Sequence, residues 1–248
     1  MIRLRILGAM DLRGPDGGEL RAVLAQPKRL ALLSYLAAAN PRALHSRDTL
    51  LALLWPDLNQ QRARAALRQA LYVLRRALGD EALVTCGDAV IGLEHRHVWC
   101  DAVAFDGAVD AGNWPEALAL YGGELLAGFH VSGTASFERW LDAERARLAA
   151  RAAAAAWALS EGDERRGDLP GALRSMRRLL EIDPYDERAI RRAITLFDRL
   201  GDRVAVLRIY REFAARIEVD FAMEPASETR ALITTIWARA YQYDPFAA

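Results

Sequence analysis

A run of arginine, glutamine and tyrosine residues between Asn59 and Asp80 offers the most distinctive chemistry in this sequence. At 3.6 residues per turn the polar residues share one side of a single helix: Gln61, Arg62, Arg64, Arg68, Gln69, Tyr72, Arg75 and Arg76. That side holds five arginines and no acid before Asp80, although solvated helices usually interleave charges of both signs. Arg and Gln also form the paired hydrogen bonds that distinguish guanine and adenine in a major groove. The pattern favours a DNA-reading surface, with an arginine-rich solvated face as the alternative.

The other side of the same helix is apolar and predicts its buried stripe. Six residues form this stripe: Ala63, Leu67, Ala70, Leu71, Leu74 and Leu78. The surrounding charge agrees with a polyanionic partner, because residues 1–100 contain 14 basic and 9 acidic residues, whereas residues 101–248 contain 19 and 24. A polyanion should therefore bind the first part of the chain only.

The elements around this helix must position it, and their order predicts a winged helix. Ile2–Leu7 alternates apolar and basic residues like a strand, and the turn-rich stretch 13–18 should join it in a hairpin to residues 19–24. Two helices should follow, one opened by Pro27 and one capped by Ser46. Beyond the arginine helix, residues 82–86 and 89–93 flank a Gly87-Asp88 turn and predict a second hairpin.

Three further basic residues lie where phosphates could bind. Lys28, Arg29 and Arg47 are at or just before the first turns of the two shorter helices. The backbone amides and the positive dipole end of a helix favour anions at such positions. We expect these residues to contact the DNA backbone.

The second part of the chain is alanine-rich and predicts helical repeats. Gly167-Asp168 and Gly201-Asp202 are 34 residues apart, which is the tetratricopeptide period, and Gly112-Asn113 indicates an earlier copy. Stacked helix pairs build concave grooves, so this region could hold a small effector or a peptide. The sequence does not decide between these two kinds of ligand.

Several of these stretches resemble the Streptomyces antibiotic regulatory protein (SARP) type of bacterial regulator. The resemblance to the DNA-binding part of that family lies in residues 53–57, 63–71 and 74–79. The resemblance to its bacterial transcriptional activation domain lies in residues 137–148 and 223–230. The resemblance implies a phosphorelay-type winged helix of the OmpR/PhoB kind. It places Arg68, Gln69 and Tyr72 at base edges and Arg64, Arg75 and Arg76 near bases or phosphates. Family wings usually carry a Gly-Tyr-Arg run, which residues 89–93 lack.

Other chemistry has weaker support in the sequence. Cys86, His95, His97 and Cys100 supply the inventory of a two-Cys, two-His zinc site but lack a Cys-x-x-Cys knuckle. No serine lies in a nucleophile elbow. The single lysine follows Pro27, so the sequence contains no phosphate-binding Gly-Lys loop. We therefore expect no catalytic, metal or cofactor site and no enzymatic activity. The sequence has two cysteines, and we see neither a secretory segment nor a long apolar run in it. These features favour a cytoplasmic protein without membrane contact.

Together these observations predict a mostly α protein with small β-hairpins: a winged-helix DNA-binding domain over residues 1–98 and a tetratricopeptide-like, all-α activation domain over residues 99–248. The function expected is sequence-specific transcriptional regulation, most simply activation. The resemblance further implies tandem self-association on direct repeats of promoter DNA and contact with RNA polymerase near its sigma subunit. The alternative is a repeat-type adaptor whose winged helix binds no specific DNA.

Overall fold

The computed structural model describes residues 1–39, 43–87 and 89–242. Helices predominate and the sheets are small, as the sequence predicts. Residue contacts divide the chain into two compact units, the first ending at Arg151 and the second beginning at Ala152. The predicted domain boundary after residue 98 lies within the first unit, and it stays a prediction.

The first hundred residues of the first unit contain the strands, the helices and the wing hairpin of a winged helix. Its elements up to residue 100 are β1 (Ile2–Arg5), β2 (Asp11–Arg13), α1 (Arg21–Leu24), α2 (Pro27–Ala38), β3 (His45–Ser46), α3 (Arg47–Leu54), α4 (Gln60–Leu78), a 3-10 turn (Asp80–Ala82), β4 (Leu83–Cys86), β5 (Val90–Leu93) and β6 (Val98–Cys100). Leucines of α2, α3 and α4 are prominent in its core, among them Leu32, Leu50 and Leu67.

Two three-stranded sheets flank these helices. The first has the order β2-β1-β6, with β1 antiparallel to β2 and parallel to β6. The second has the order β3-β5-β4 and contains the wing hairpin. The wing is confirmed, with Cys86 paired to Val90, although the predicted turn residue Asp88 lies outside the described residues.

The N-terminal hairpin is real, but its predicted second strand is wrong. The partner of β1 is β2, with Arg3 opposite Arg13, whereas residues 21–24 form the short helix α1. Val23 is fully buried in α1, and α1 packs on both α2 and α4. Burial of this residue between helices therefore outweighs the local strand pattern.

The elements after residue 100 in the described ranges are helices, with an irregular stretch over residues 121–134. They are α5 (Asp101–Asp110), α6 (Trp114–Leu120), α7 (Ala135–Arg165), α8 (Leu169–Ile182), α9 (Glu187–Arg199), α10 (Arg203–Phe221) and α11 (Ser227–Gln242). In the second unit α9 packs against α8, α10 and α11. This is the neighbour-to-neighbour packing of a helical repeat.

The predicted repeat has a common local structure. Gly167 and Gly201 have φ of +80° and +75°, a region that favours glycine, and the aspartate after each caps the following helix. Gly112 adopts the same conformation at +69°, and Asn113, the residue before α6, has backbone angles similar to those of Asp168 and Asp202 but forms no side-chain cap. The same turn therefore starts three helices. No helix in the described ranges combines the length and the apolarity needed to cross a membrane.

Candidate nucleic-acid interface

Helix α4 forms because its sequence supplies both ends and a continuous apolar stripe. The Asn59 side chain accepts a hydrogen bond from the Arg62 N–H at 2.9 Å, and Gly79 with φ +89° follows the last turn. The buried residues are the six that the sequence predicts: Ala63, Leu67, Ala70, Leu71, Leu74 and Leu78. Burial of this stripe fixes which residues α4 presents to solvent.

The solvent side of α4 carries the predicted base-reading residues. Arg64, Arg68, Gln69, Tyr72 and Arg76 are exposed, and Arg75 is half-buried. Tyr72 is 54% exposed, which is high for an aromatic residue. The Arg76 guanidinium carbon lies 5.9 Å from the centre of the Tyr72 ring, within cation–π range. The structure therefore brings all six side chains onto one helix.

The charges of this face are not neutralised by the protein itself. Across the part of the chain that the structure describes, no carboxylate lies within 4.0 Å of any of the five arginines of α4. Arginines of α7 behave differently, since Arg147 contacts Asp106 and Glu144, each at 2.8 Å. An exposed cationic face without internal counter-ions is suited to an external polyanion.

The three expected phosphate contacts lie outside this face. Lys28 and Arg29 begin α2, Arg47 begins α3, and all three are half-buried. The Arg29 guanidinium donates to the carbonyl of Ala22, and the Arg47 backbone N–H donates to Ala89 at 2.9 Å. Asp48 in the first turn of α3 reduces the local positive potential. Their contact with DNA stays a prediction.

The wing has exposed residues but no cationic ones. Val84, Thr85 and Cys86 of β4 are exposed, and the sequence from Leu83 to Leu93 has no basic residue. Minor-groove contacts generally use arginine or lysine. The exposed face of α4 is therefore the main DNA-binding candidate in this unit.

The alternative zinc site is not assembled. Cys86 is exposed in β4, whereas Cys100 is buried in β6 of the other sheet. Burial and the adjacent Asp101 raise the pKa of Cys100 to about 12, so its thiol stays protonated at neutral pH. Among residues 1–39, 43–87 and 89–242, no three His, Cys, Asp or Glu side chains are grouped to hold a metal ion.

A buried carboxylate ties the N-terminal sheet to the start of α5. Asp101 accepts hydrogen bonds from the N–H groups of Ile6 and Leu7 at 3.0 Å and of Ala102 at 2.8 Å. Burial raises its pKa above the ordinary value, and the three donors only partly offset this effect. The sequence gives no signal for this role, because Ile6 and Leu7 are about 95 residues away.

An aromatic cluster joins the winged helix to α7. The Tyr35 ring lies 5.0 Å from His45 and 4.9 Å from Trp140, and Trp140 lies 5.3 Å from Phe137. Burial lowers the pKa of His45, which favours its neutral form. Trp140 thus packs against Tyr35 of α2 and acts as a packing anchor between the winged helix and α7.

A winged helix with an uncompensated cationic helix face, followed by helical repeats, is an architecture suited to binding DNA. Residues 103–237, more than half of the chain, match the family model of the bacterial transcriptional activator domain. The chain therefore belongs to the bacterial transcriptional activator domain family.

Among solved structures, the chain is similar to EmbR of Mycobacterium tuberculosis, determined in complex with a low-affinity phosphopeptide. The two share 20% identity with a TM-score of 0.64, over 96% of this chain and 65% of the EmbR chain. The chain therefore spans just under two-thirds of the EmbR chain, and the likeness shows the fold. No curated protein sequence gives a significant match.

Proposed function

We propose that the chain activates transcription by binding promoter DNA through α4, with its exposed face in the major groove. The observation that carries this proposal is the absence of any described counter-ion around the arginines of that face. Arg68, Gln69 and Tyr72 are exposed near the middle of the helix and are assigned to base edges. Arg64, Arg75 and Arg76 contact bases or the neighbouring phosphates.

The activation step requires a second contact, which we assign to RNA polymerase near its sigma subunit. Membership in a family of bacterial transcriptional activators supports this assignment. The helical part of the chain would make this contact and would also join neighbouring copies. The assignment is independent of which bases α4 reads.

Two copies are needed for a specific site, because one groove-bound helix reads only a few base pairs against a whole genome. We propose that they bind in tandem on direct repeats. Both reading helices enter the same side of the duplex if the repeats are roughly 10–11 base pairs apart, which is one helical turn. A two-fold symmetric pair would instead require an inverted repeat.

Site selection followed by gel shifts tests this arrangement. The full chain is used to select duplexes from a random pool, and the selected half-site is then synthesised as a direct repeat, as an inverted repeat, and as a direct repeat with half a turn inserted. The direct repeat at one turn should bind most tightly. Tighter binding to the inverted repeat would contradict the tandem arrangement.

The repeat-type adaptor remains the alternative, and the same experiment separates it from a regulator. An adaptor whose winged helix reads no bases would enrich no sequence from the pool. Its residual binding would be equal for all duplexes and would fall steeply with salt.

A further inference from the structure

The second unit contains a cavity of about 420 Å³ between α8, α9 and α10. Its apolar lining includes the half-buried Leu180 of α8 and Ile209 of α10, together with the buried Ile190, Phe197 and Phe213. Arg177 of α8 and Arg208 and Arg216 of α10 are exposed at its edge. The cavity thus has an apolar floor and a cationic rim, a combination found in sites for small amphipathic ligands.

Two of the rim arginines are held in place by uncharged groups. The Arg177 guanidinium carbon lies 5.2 Å from the centre of the Phe197 ring, in a cation–π contact. The Arg216 Nη1 donates to the carbonyl of Pro184 at 3.1 Å. Both contacts restrict the side chain without neutralising its charge, and they leave other N–H groups available. Such preorganisation lowers the entropic cost of binding an anion.

The balance of charge around the cavity is positive. Glu181 lies on the rim, but its carboxylate is paired with Arg178 at 2.7 Å. Within the described ranges Arg177, Arg208 and Arg216 have no carboxylate within ion-pair distance, and Glu212 is the one other acid of the lining. Three guanidinium groups therefore face one uncommitted carboxylate.

We infer that this cavity binds a small organic anion, namely a carboxylate attached to an aromatic or branched apolar body. The apolar body packs on the half-buried Leu180 and Ile209, and the carboxylate accepts hydrogen bonds from Arg177 and Arg216. The volume lies in the range of roughly 300–1,000 Å³ that is usual for small-molecule sites. This site goes beyond the proposed function and depends on no contact with DNA.

Calorimetric titration of the full chain without DNA tests the inference. The probe is naphthylacetate, and its matched control is naphthylacetamide, which keeps the ring and removes the charge. The acid should bind about tenfold more tightly than the amide, because charge-assisted hydrogen bonds exceed neutral ones in strength. Equal affinity for the two compounds, or no binding of either at millimolar concentration, would overturn the assignment.

Substitutions locate the binding. Arg177→Gln and Arg216→Gln should each weaken naphthylacetate binding about tenfold, by removing one charged partner. The matched control is Arg211→Gln, an exposed residue of α10 outside the cavity lining, and it should change nothing. Circular dichroism confirms that each variant is folded. Unchanged affinity in both cavity variants would place the probe elsewhere and refute the site.

A peptide is the other candidate occupant, and a further titration excludes or establishes it. The probe is an amidated tetrapeptide that contains aspartate next to phenylalanine. Tighter binding of this peptide than of naphthylacetate would overturn the small-molecule assignment. Weaker binding supports it. Failure of the DNA-binding proposal would leave these titrations unaffected, because no DNA is present.

Discussion

At the scale of single residues, helical periodicity predicts the position of each α4 side chain. It does not predict whether a nearby carboxylate neutralises the charge of that side chain. Arg68 and Arg76 could be placed on the polar side from spacing alone. Whether a carboxylate from another element neutralises them depends on residues distant in sequence, as Asp106 does for Arg147. The face therefore could be predicted from the sequence, whereas its lack of counter-ions could not.

The salt dependence of DNA binding tests the expected phosphate contacts. Lys28→Gln and Arg47→Gln should each flatten the plot of log affinity against log salt by about 0.9, the contribution of one neutralised phosphate in B-DNA. The matched control is Arg21→Gln, because Arg21 is highly exposed in α1 and paired with Glu19. An unchanged slope in either variant would exclude that residue from the interface.

The buried carboxylate of Asp101 makes stability depend on pH. Burial raises its pKa, so the folded chain holds this proton more tightly than the unfolded chain. Its contribution to the free energy of unfolding is therefore complete below the ordinary carboxyl pKa and is lost as pH rises through the raised pKa.

Urea unfolding of the wild-type chain and of Asp101→Asn, at a series of pH values from about 4 upward, measures this contribution. The stability difference between the two should shrink as pH rises. Asp101→Asn should also be less stable by about 1–3 kcal/mol at low pH, because its amide group faces backbone donors. A difference that grows with pH would show that the hydrogen bonds to Ile6 and Leu7 outweigh burial.

At the scale of elements, the repeats were the most predictable part of the fold. A glycine and an aspartate at the start of a helix have a direct local effect, so Gly167-Asp168 and Gly201-Asp202 predict their turns without knowledge of the packing. The length of α10 has a similar local cause. Pro184 follows the end of α8, whereas the equivalent position of the next repeat is Glu218, which allows α10 to continue to Phe221. Helix α1 could not be predicted, because Val23 is stabilised by packing on α2 and α4.

Removal of a helix cap measures how much the repeat turn stabilises the second unit. The Asp168 side chain accepts a hydrogen bond from the Gly171 N–H at 2.9 Å. Asp168→Ala should lower the free energy of unfolding by about 0.5–2 kcal/mol. Asp168→Asn is the matched control, because its amide oxygen can still accept from the Gly171 N–H while the charge that pairs with Arg174 is removed. An equal loss in the two variants would assign the effect to the ion pair with Arg174 instead of capping.

At the scale of the whole molecule, the packing of the first unit extends beyond the expected DNA-binding domain. Asp101 accepts from Ile6, the Leu126 N–H donates to Ile6 at 2.7 Å, and Trp140 packs on Tyr35. These contacts join residues far apart in sequence, which explains why motif order alone places a boundary near residue 98. The first helices after residue 100 thus help to hold the module that carries α4.

Two truncated chains test this dependence. Residues 1–98 lack Asp101 and Trp140, whereas residues 1–165 keep both together with all of α7. The longer fragment should unfold cooperatively in urea, and the shorter one should unfold at lower urea concentration, because Ile6 and Tyr35 lose their partners. Coincident unfolding curves, followed by circular dichroism, would show that residues 1–98 are stable alone.

The central claim is that α4 reads bases, and Arg68→Ala tests it most directly. Binding of this variant and of the wild-type chain is measured by gel shift on the selected direct repeat and on a random duplex at physiological salt. Arg211→Ala, an exposed arginine of α10, is the control. Arg68→Ala should lose about 1–3 kcal/mol on the direct repeat and much less on the random duplex, while Arg211→Ala should lose nothing on either. Equal losses of Arg68→Ala on both duplexes would contradict base reading and reduce Arg68 to a phosphate contact.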